Sequence, residues 1–159
     1  MTAEQRERIE QIYVEMYDQL MTFGRSSLKS EALAEEAIQE TFRIACTKPD
    51  DFLTSPNPKG WIVIALKNTI RNIKRARANA QRLLISYAEV QGKVEAFSED
   101  KVSLETSYGN VAHLEEFKLL NEMAVEGKSH LEMAKARGIS VAACKKRVQR
   151  AKEKLREKI

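Results

Sequence analysis

The chain has 159 residues, 43% of them hydrophobic and 31% charged, which suits one ordinary domain or two small ones and is too apolar for a disordered chain. Six glycines and three prolines leave room for long helices and argue against a turn-rich β fold. The net charge is +4, no apolar run reaches the roughly 20 residues of a membrane helix, and the charged start Glu4, Arg6, Glu7, Arg8 carries no secretory pattern, so a cytoplasmic protein without membrane contact is expected.

The first predicted helix covers residues 4–23, where Ile9, Tyr13, Met16, Tyr17, Leu20 and Phe23 recur at spacings of three and four as one apolar stripe. Gly24-Arg25-Ser26-Ser27 is expected to interrupt it. A second helix starts at Ser30, a good N-cap, with Glu31 in the first turn where a carboxylate suits the helix dipole. Its apolar face is Leu33, Ala34, Ala37, Ile38, Thr41, Phe42 and Ala45, with Glu35, Glu36, Gln39, Glu40 and Arg43 opposite. Lys48-Pro49-Asp50-Asp51 ends that helix, and the stretch from Thr54 to Pro58 is a loop.

Asn57 followed by Pro58 has the form of an N-cap and first helical residue, opening a third helix over 58–78. Trp61, Ile62, Ala65, Leu66, Thr69, Ile70 and Ile73 form its apolar side; Lys67, Arg71, Lys74 and Arg75 share another face that holds no acid. Residues 79–111 lose the helical period and are expected to form a linker with at most one short helix, too long for a connection inside one compact body. A fourth helix over 112–126 would bury Leu114, Phe117, Leu120 and Ala124 and stop at Gly127. Ser129 with Glu132 three residues later is a capping-box pattern opening a short helix through Ala136. Gly138 can take the left-handed conformation, Ser140 can cap the last helix, and Val141, Cys144, Val148, Ala151 and Leu155 are its buried seam. Cys46 and Cys144 have no metal-type spacing, and each is expected to be a small buried thiol in a reducing compartment.

Charge is segregated along this order. Residues 1–57 carry six basic and eleven acidic side chains, 58–82 seven basic and none acidic, 83–127 three basic and nine acidic, and 128–159 eleven basic and three acidic. Two basic blocks parted by an acidic one point to two contacts with a polyanion, although either alone could be a solvated helix face. In the second block, a capped short helix, a turn containing Gly138 and a longer basic helix make a helix-turn-helix, where small Ala134 and Gly138 would let the helices approach closely. Lys145, Lys146, Arg147, Gln149 and Arg150 are then placed to donate to base edges and neutralise phosphates.

Three stretches carry a family resemblance: the run Glu35-Glu36-Ala37-Ile38-Gln39-Glu40-Thr41-Phe42; the run from Gly60-Trp61 to Lys67-Asn68 with Arg71 and Arg75; and the run from Gly138 to Arg156. In that order they resemble the extracytoplasmic-function sigma factors of RNA polymerase. The resemblance implies an all-α chain of two small helical domains joined by a linker. Residues 1–78 would be a region-2-like domain for polymerase and the minus-ten element, 79–111 the linker, and 112–159 a region-4-like helix-turn-helix for the minus-thirty-five element. It further implies that Glu36, Gln39 and Glu40 contact the clamp helices of the largest polymerase subunit, with the flap as a second polymerase contact. Lys59, Lys67, Asn68, Arg71, Lys74 and Arg75 would follow the minus-ten DNA, with residues 54–59 capturing an unstacked base. Ser140, Lys145, Lys146, Arg147, Gln149 and Arg150 would hold the minus-thirty-five duplex. Whether an anti-sigma protein also binds stays open.

The chain departs from the family at 112–124, which lacks the usual Leu-Pro pair and Arg, and at Ala143 and Cys144, where Thr and Val are common. A C-terminal unit of about 48 residues would be marginal in burial and ordered mainly when docked. The main alternative is a stand-alone helix-turn-helix regulator that never joins polymerase, which leaves the acidic ridge and the first basic helix unused. A nucleic-acid enzyme would need a carboxylate cluster or a nucleophile with a base, and His113, His130 and Glu35, Glu36, Glu40 offer neither, so no catalytic residue, metal or cofactor is expected.

Overall fold

The computed structural model describes residues 1–97 and 115–159, and these form helices and connections without a strand. The helices are α1 (Ala3–Leu28), α2 (Glu31–Thr47), α3 (Pro49–Leu53), α4 (Pro58–Phe97), α5 (described over 115–124), α6 (His130–Arg137) and α7 (Val141–Glu157). Among the described residues no helix is long and apolar enough to cross a membrane. The chain divides into two compact units, Met1–Arg75 and Ala76–Ile159.

In the first unit, Thr2 opens α1 with a capping box: its Oγ1 accepts the Gln5 N–H at 3.1 Å and its own N–H donates to Gln5 Oε1 at 3.0 Å. Ser30 caps α2 as expected, accepting the Leu33 N–H at 3.2 Å. All seven residues of the expected α2 face are buried, among them Ile38 and Phe42, against Ile12, Met16 and Leu20 of α1, Phe52 of α3, and Ile62, Leu66 and Ile70 of α4. A polar pair in this core, Thr41 and Thr69, returns each hydroxyl to a carbonyl four residues back, Ala37 at 2.7 Å and Ala65 at 2.9 Å, so neither burial leaves an unmet group.

Three local expectations are corrected here. Gly24 does not interrupt α1, which runs on to Leu28 and ends where Lys29 adopts a left-handed φ of 57°. A Cβ at Gly24 would lie 2.9 Å from the Ala34 Cβ, so this glycine serves close packing of α1 on α2. The Lys48-Pro49-Asp50-Asp51 stretch does end α2 but also starts α3: Pro49 sits in its first turn, and Asp50 and Asp51 favour its N-terminus. Cys46 is exposed, unlike Cys144.

The larger correction concerns α4. Asn57 caps it as expected, its Oδ1 accepting the Gly60 N–H at 3.1 Å. The helix then continues to Phe97, through residues expected to be linker. Ala80, Leu83, Leu84 and Tyr87 are buried in the second unit's core with Leu120 and Met123 of α5, Met133 of α6, and Cys144, Val148 and Leu155 of α7. The second unit is therefore larger than the expected 112–159 piece, because α4 supplies one wall of its core. The rest of the expected linker, residues 98–111, and the expected core residue Leu114 lie outside the described residues.

Candidate nucleic-acid interface

The first basic surface lies on α4. Burial of Ile62, Leu66, Thr69 and Ile70 on one side leaves Lys67, Asn68, Arg71, Lys74 and Arg75 exposed on the other, as the 3.6-residue period requires. Among the described residues, Lys67, Arg71, Lys74 and Arg75 make no ion pair with an acid. Lys59 differs from them: its ammonium meets Glu15 Oε2 of α1 at 3.1 Å, so it braces α4 against α1. The preceding loop is self-bonded. Thr54 Oγ1 donates to the Asp50 carbonyl at 2.5 Å, and Ser55 Oγ accepts the Asn57 N–H at 3.3 Å. Trp61 packs at the core's edge with its ring 4.9 Å from that of Phe52, a structural position.

Phe23 departs from the expected stripe. It stays 39% exposed, while Ile12, Met21 and Leu28, absent from that stripe, are buried. Lys67 Nζ sits 5.8 Å from the centre of its ring, within cation–π range. The spacing from Leu20 suggested burial, but on a helix this long a residue at the stripe's edge turns outward.

On α2, Glu36 and Glu40 are half-buried and Gln39 is exposed, all away from the core-facing side. Glu40 accepts from Nε and Nη2 of the Arg43 guanidinium, at 2.9 and 2.7 Å, and Gln39 Nε2 donates to the Tyr13 hydroxyl at 3.3 Å. Gln39 and Glu40 are thus held in place by neighbouring side chains.

The second basic surface belongs to the helix-turn-helix of α6 and α7. Ser129 forms the expected capping box with Glu132. Gly138 has φ 63°, and the Ile139 N–H reaches back to the Ala134 carbonyl at 3.1 Å, closing α6 with a left-handed cap. A Cβ at Gly138 would meet nothing within 4 Å, so this glycine is required for its backbone angle and not for close approach; buried Ala134 alone has the tight position. Ser140 Oγ accepts the Ala143 N–H at 3.1 Å, which leaves its hydroxyl proton to donate outward.

Lys145, Lys146, Arg147, Gln149 and Arg150 are all exposed, but they do not share one face. With Cys144, Val148, Ala151 and Leu155 turned inward, helical geometry puts Lys146, Gln149 and Arg150 opposite the core and Lys145 and Arg147 on opposite shoulders. Gln149 Nε2 also reaches Glu153 Oε1 at 3.4 Å. Part of the block's charge is spent internally on α5. Arg137 meets Glu122 at 2.5 Å, Lys128 lies 3.4 Å from the same carboxylate, and Lys154 meets Glu116 at 2.7 Å. Burial pushes the Glu122 carboxyl up, yet the hydrogen bond and charge of Arg137, with Lys128, outweigh it and hold the group below its ordinary value. The acidic α5 therefore fastens the helix-turn-helix from behind, a role that block charges along the sequence hid.

Two family models match the chain. One described as Sigma-70 region 2 covers residues 12–80, and one described as Sigma-70, region 4 covers residues 116–155. No curated protein and no solved structure gives a significant match.

Proposed function

The chain belongs to the sigma-70 family, as a small extracytoplasmic-function-type factor for promoter recognition, and we propose that it does so by joining core RNA polymerase and holding a promoter at two separate elements. The observation that carries this reading is the exposed stripe of Lys67, Arg71, Lys74 and Arg75, free of acidic partners among the described residues, in a chain with a second basic surface on a helix-turn-helix. A stripe of that kind attracts phosphates by releasing their counterions, and its effect falls with salt.

In the proposed mechanism, Lys67, Arg71, Lys74 and Arg75 follow the backbone of the minus-ten strand, and Asn68 offers an amide to a base edge. Opening the duplex costs a few kcal/mol per unstacked base, which the stripe and the polar loop before α4 offset. Lys146, Gln149 and Arg150 enter the major groove of the minus-thirty-five element, where a bidentate base contact is worth about 1–3 kcal/mol of discrimination. Lys145, Arg147 and Ser140 grip the flanking phosphates. Glu36, Gln39 and Glu40 meet basic side chains on the polymerase clamp helices, Glu40 exchanging Arg43 for a partner cation, and the second unit meets the flap.

Gel filtration with bacterial core polymerase tests this. The chain is expected to co-elute with the enzyme, and a Glu36→Lys, Glu40→Lys double variant to lose affinity by about tenfold or more. Equal co-elution of the variant would overturn the ridge's role; no co-elution of the parent chain would overturn the function itself.

A further inference from the structure

Phe23 is an exposed aromatic ring on α1, lying beside the basic stripe of α4 under the Lys67 ammonium at 5.8 Å. The two helices are held alongside each other here, since Lys59 pairs with Glu15 eight residues before both members of that contact. Ile64, 62% exposed, lies about one turn before Lys67 on the same side of the helix, its direction falling among those of Lys67, Asn68 and Arg71. Apolar surface beside cations that pair with no acid among the described residues is poorly suited to water and well suited to a nucleobase, whose ring stacks on an aromatic while its phosphate meets a cation. Proteins that hold single strands combine these two elements, a basic track and aromatic stacking platforms.

We infer that Phe23 is a stacking platform for one unpaired base of the opened promoter strand, with Lys67 and Arg71 holding the phosphates on either side of it. This rests on the proposed function, and it adds a contact on α1, outside the minus-ten helix and its preceding loop. In the free chain Lys67 covers the ring. When a strand arrives, the ammonium moves to a phosphate and the base takes its place on the π face.

The test uses the chain assembled with bacterial core polymerase and a 12-nucleotide, thymine-rich single strand carrying one 2-aminopurine, whose fluorescence falls on stacking. The parent is expected to bind the strand and quench the probe at one position. Phe23→Ala should weaken binding by roughly 5- to 100-fold and abolish the quenching, as stacking energies imply. Phe23→Tyr should retain both, and Phe23→Leu, apolar but without a π face, should lose the quenching. The loss in Phe23→Ala should leave the salt slope unchanged, whereas Arg71→Ala should reduce it by about 0.7. If Phe23→Ala or Phe23→Leu binds and quenches as the parent does, the platform is refuted while the function stands. If the parent assembly binds no strand, both fall.

Discussion

At Gly24 and Gly138 the same residue type answers two different demands. Gly24 is a helical position where a side chain would collide with Ala34, and Gly138 is an open position whose backbone angle excludes most side chains. Gly24→Ala gains helix propensity but forces α1 away from α2, and a net loss of about 1–2 kcal/mol in urea unfolding is expected. The Glu122 carboxylate, paired with Arg137, couples stability to pH. Its folded pKa lies below the unfolded value, so its contribution to stability is present above the ordinary carboxylate range and is lost as pH falls through the lowered value. Thermal stability should therefore fall in the parent below about pH 4.5, and Glu122→Gln should remove that part of the acid sensitivity while being less stable at neutral pH. An identical acid profile in both proteins would show that the carboxylate's pairing with Arg137 contributes nothing.

Among the elements, those set by hydrogen bonds a few residues apart were legible in the sequence. The caps at Ser30, Asn57, Ser129 and Ser140 need only their own helix's first turn, and all four form as their residue types predict. The buried faces of α2 and α7 were legible for a similar reason, since each helix packs on one side only. The second half of α4 was missed although its signal was present. Ala80, Leu83, Leu84 and Tyr87 keep the helical spacing, but the polar Asn79, Gln81, Arg82 and Ser86 between them dilute it. Leu84→Ala should cost about 2–5 kcal/mol and strip amide-exchange protection from α6 and α7, whereas Ile85→Ala, at a position 60% exposed, should change stability by no more than about 0.5 kcal/mol. Equal effects would mean that α4 is not a wall of this core.

For the molecule as a whole, block charges along the sequence located both basic surfaces but could not say which charges remain for a partner. That depends on contacts far apart in the chain, such as Lys59 with Glu15 and Lys154 with Glu116, which only packing creates. Removing the charges so engaged leaves a compact set on α4 and a narrower one on α7 than the counts suggested. Phe23 was hidden for the same reason, since its neighbour Lys67 is on another helix. The most direct measurement adds the chain to bacterial core polymerase on a library of randomised promoters and sequences the transcripts. Transcripts should share a two-part upstream element, the distal part relaxed by a Lys146→Ala, Arg150→Ala double variant and the proximal part lost with Arg71→Ala and Arg75→Ala. A transcript profile identical to that of core polymerase alone would contradict the account.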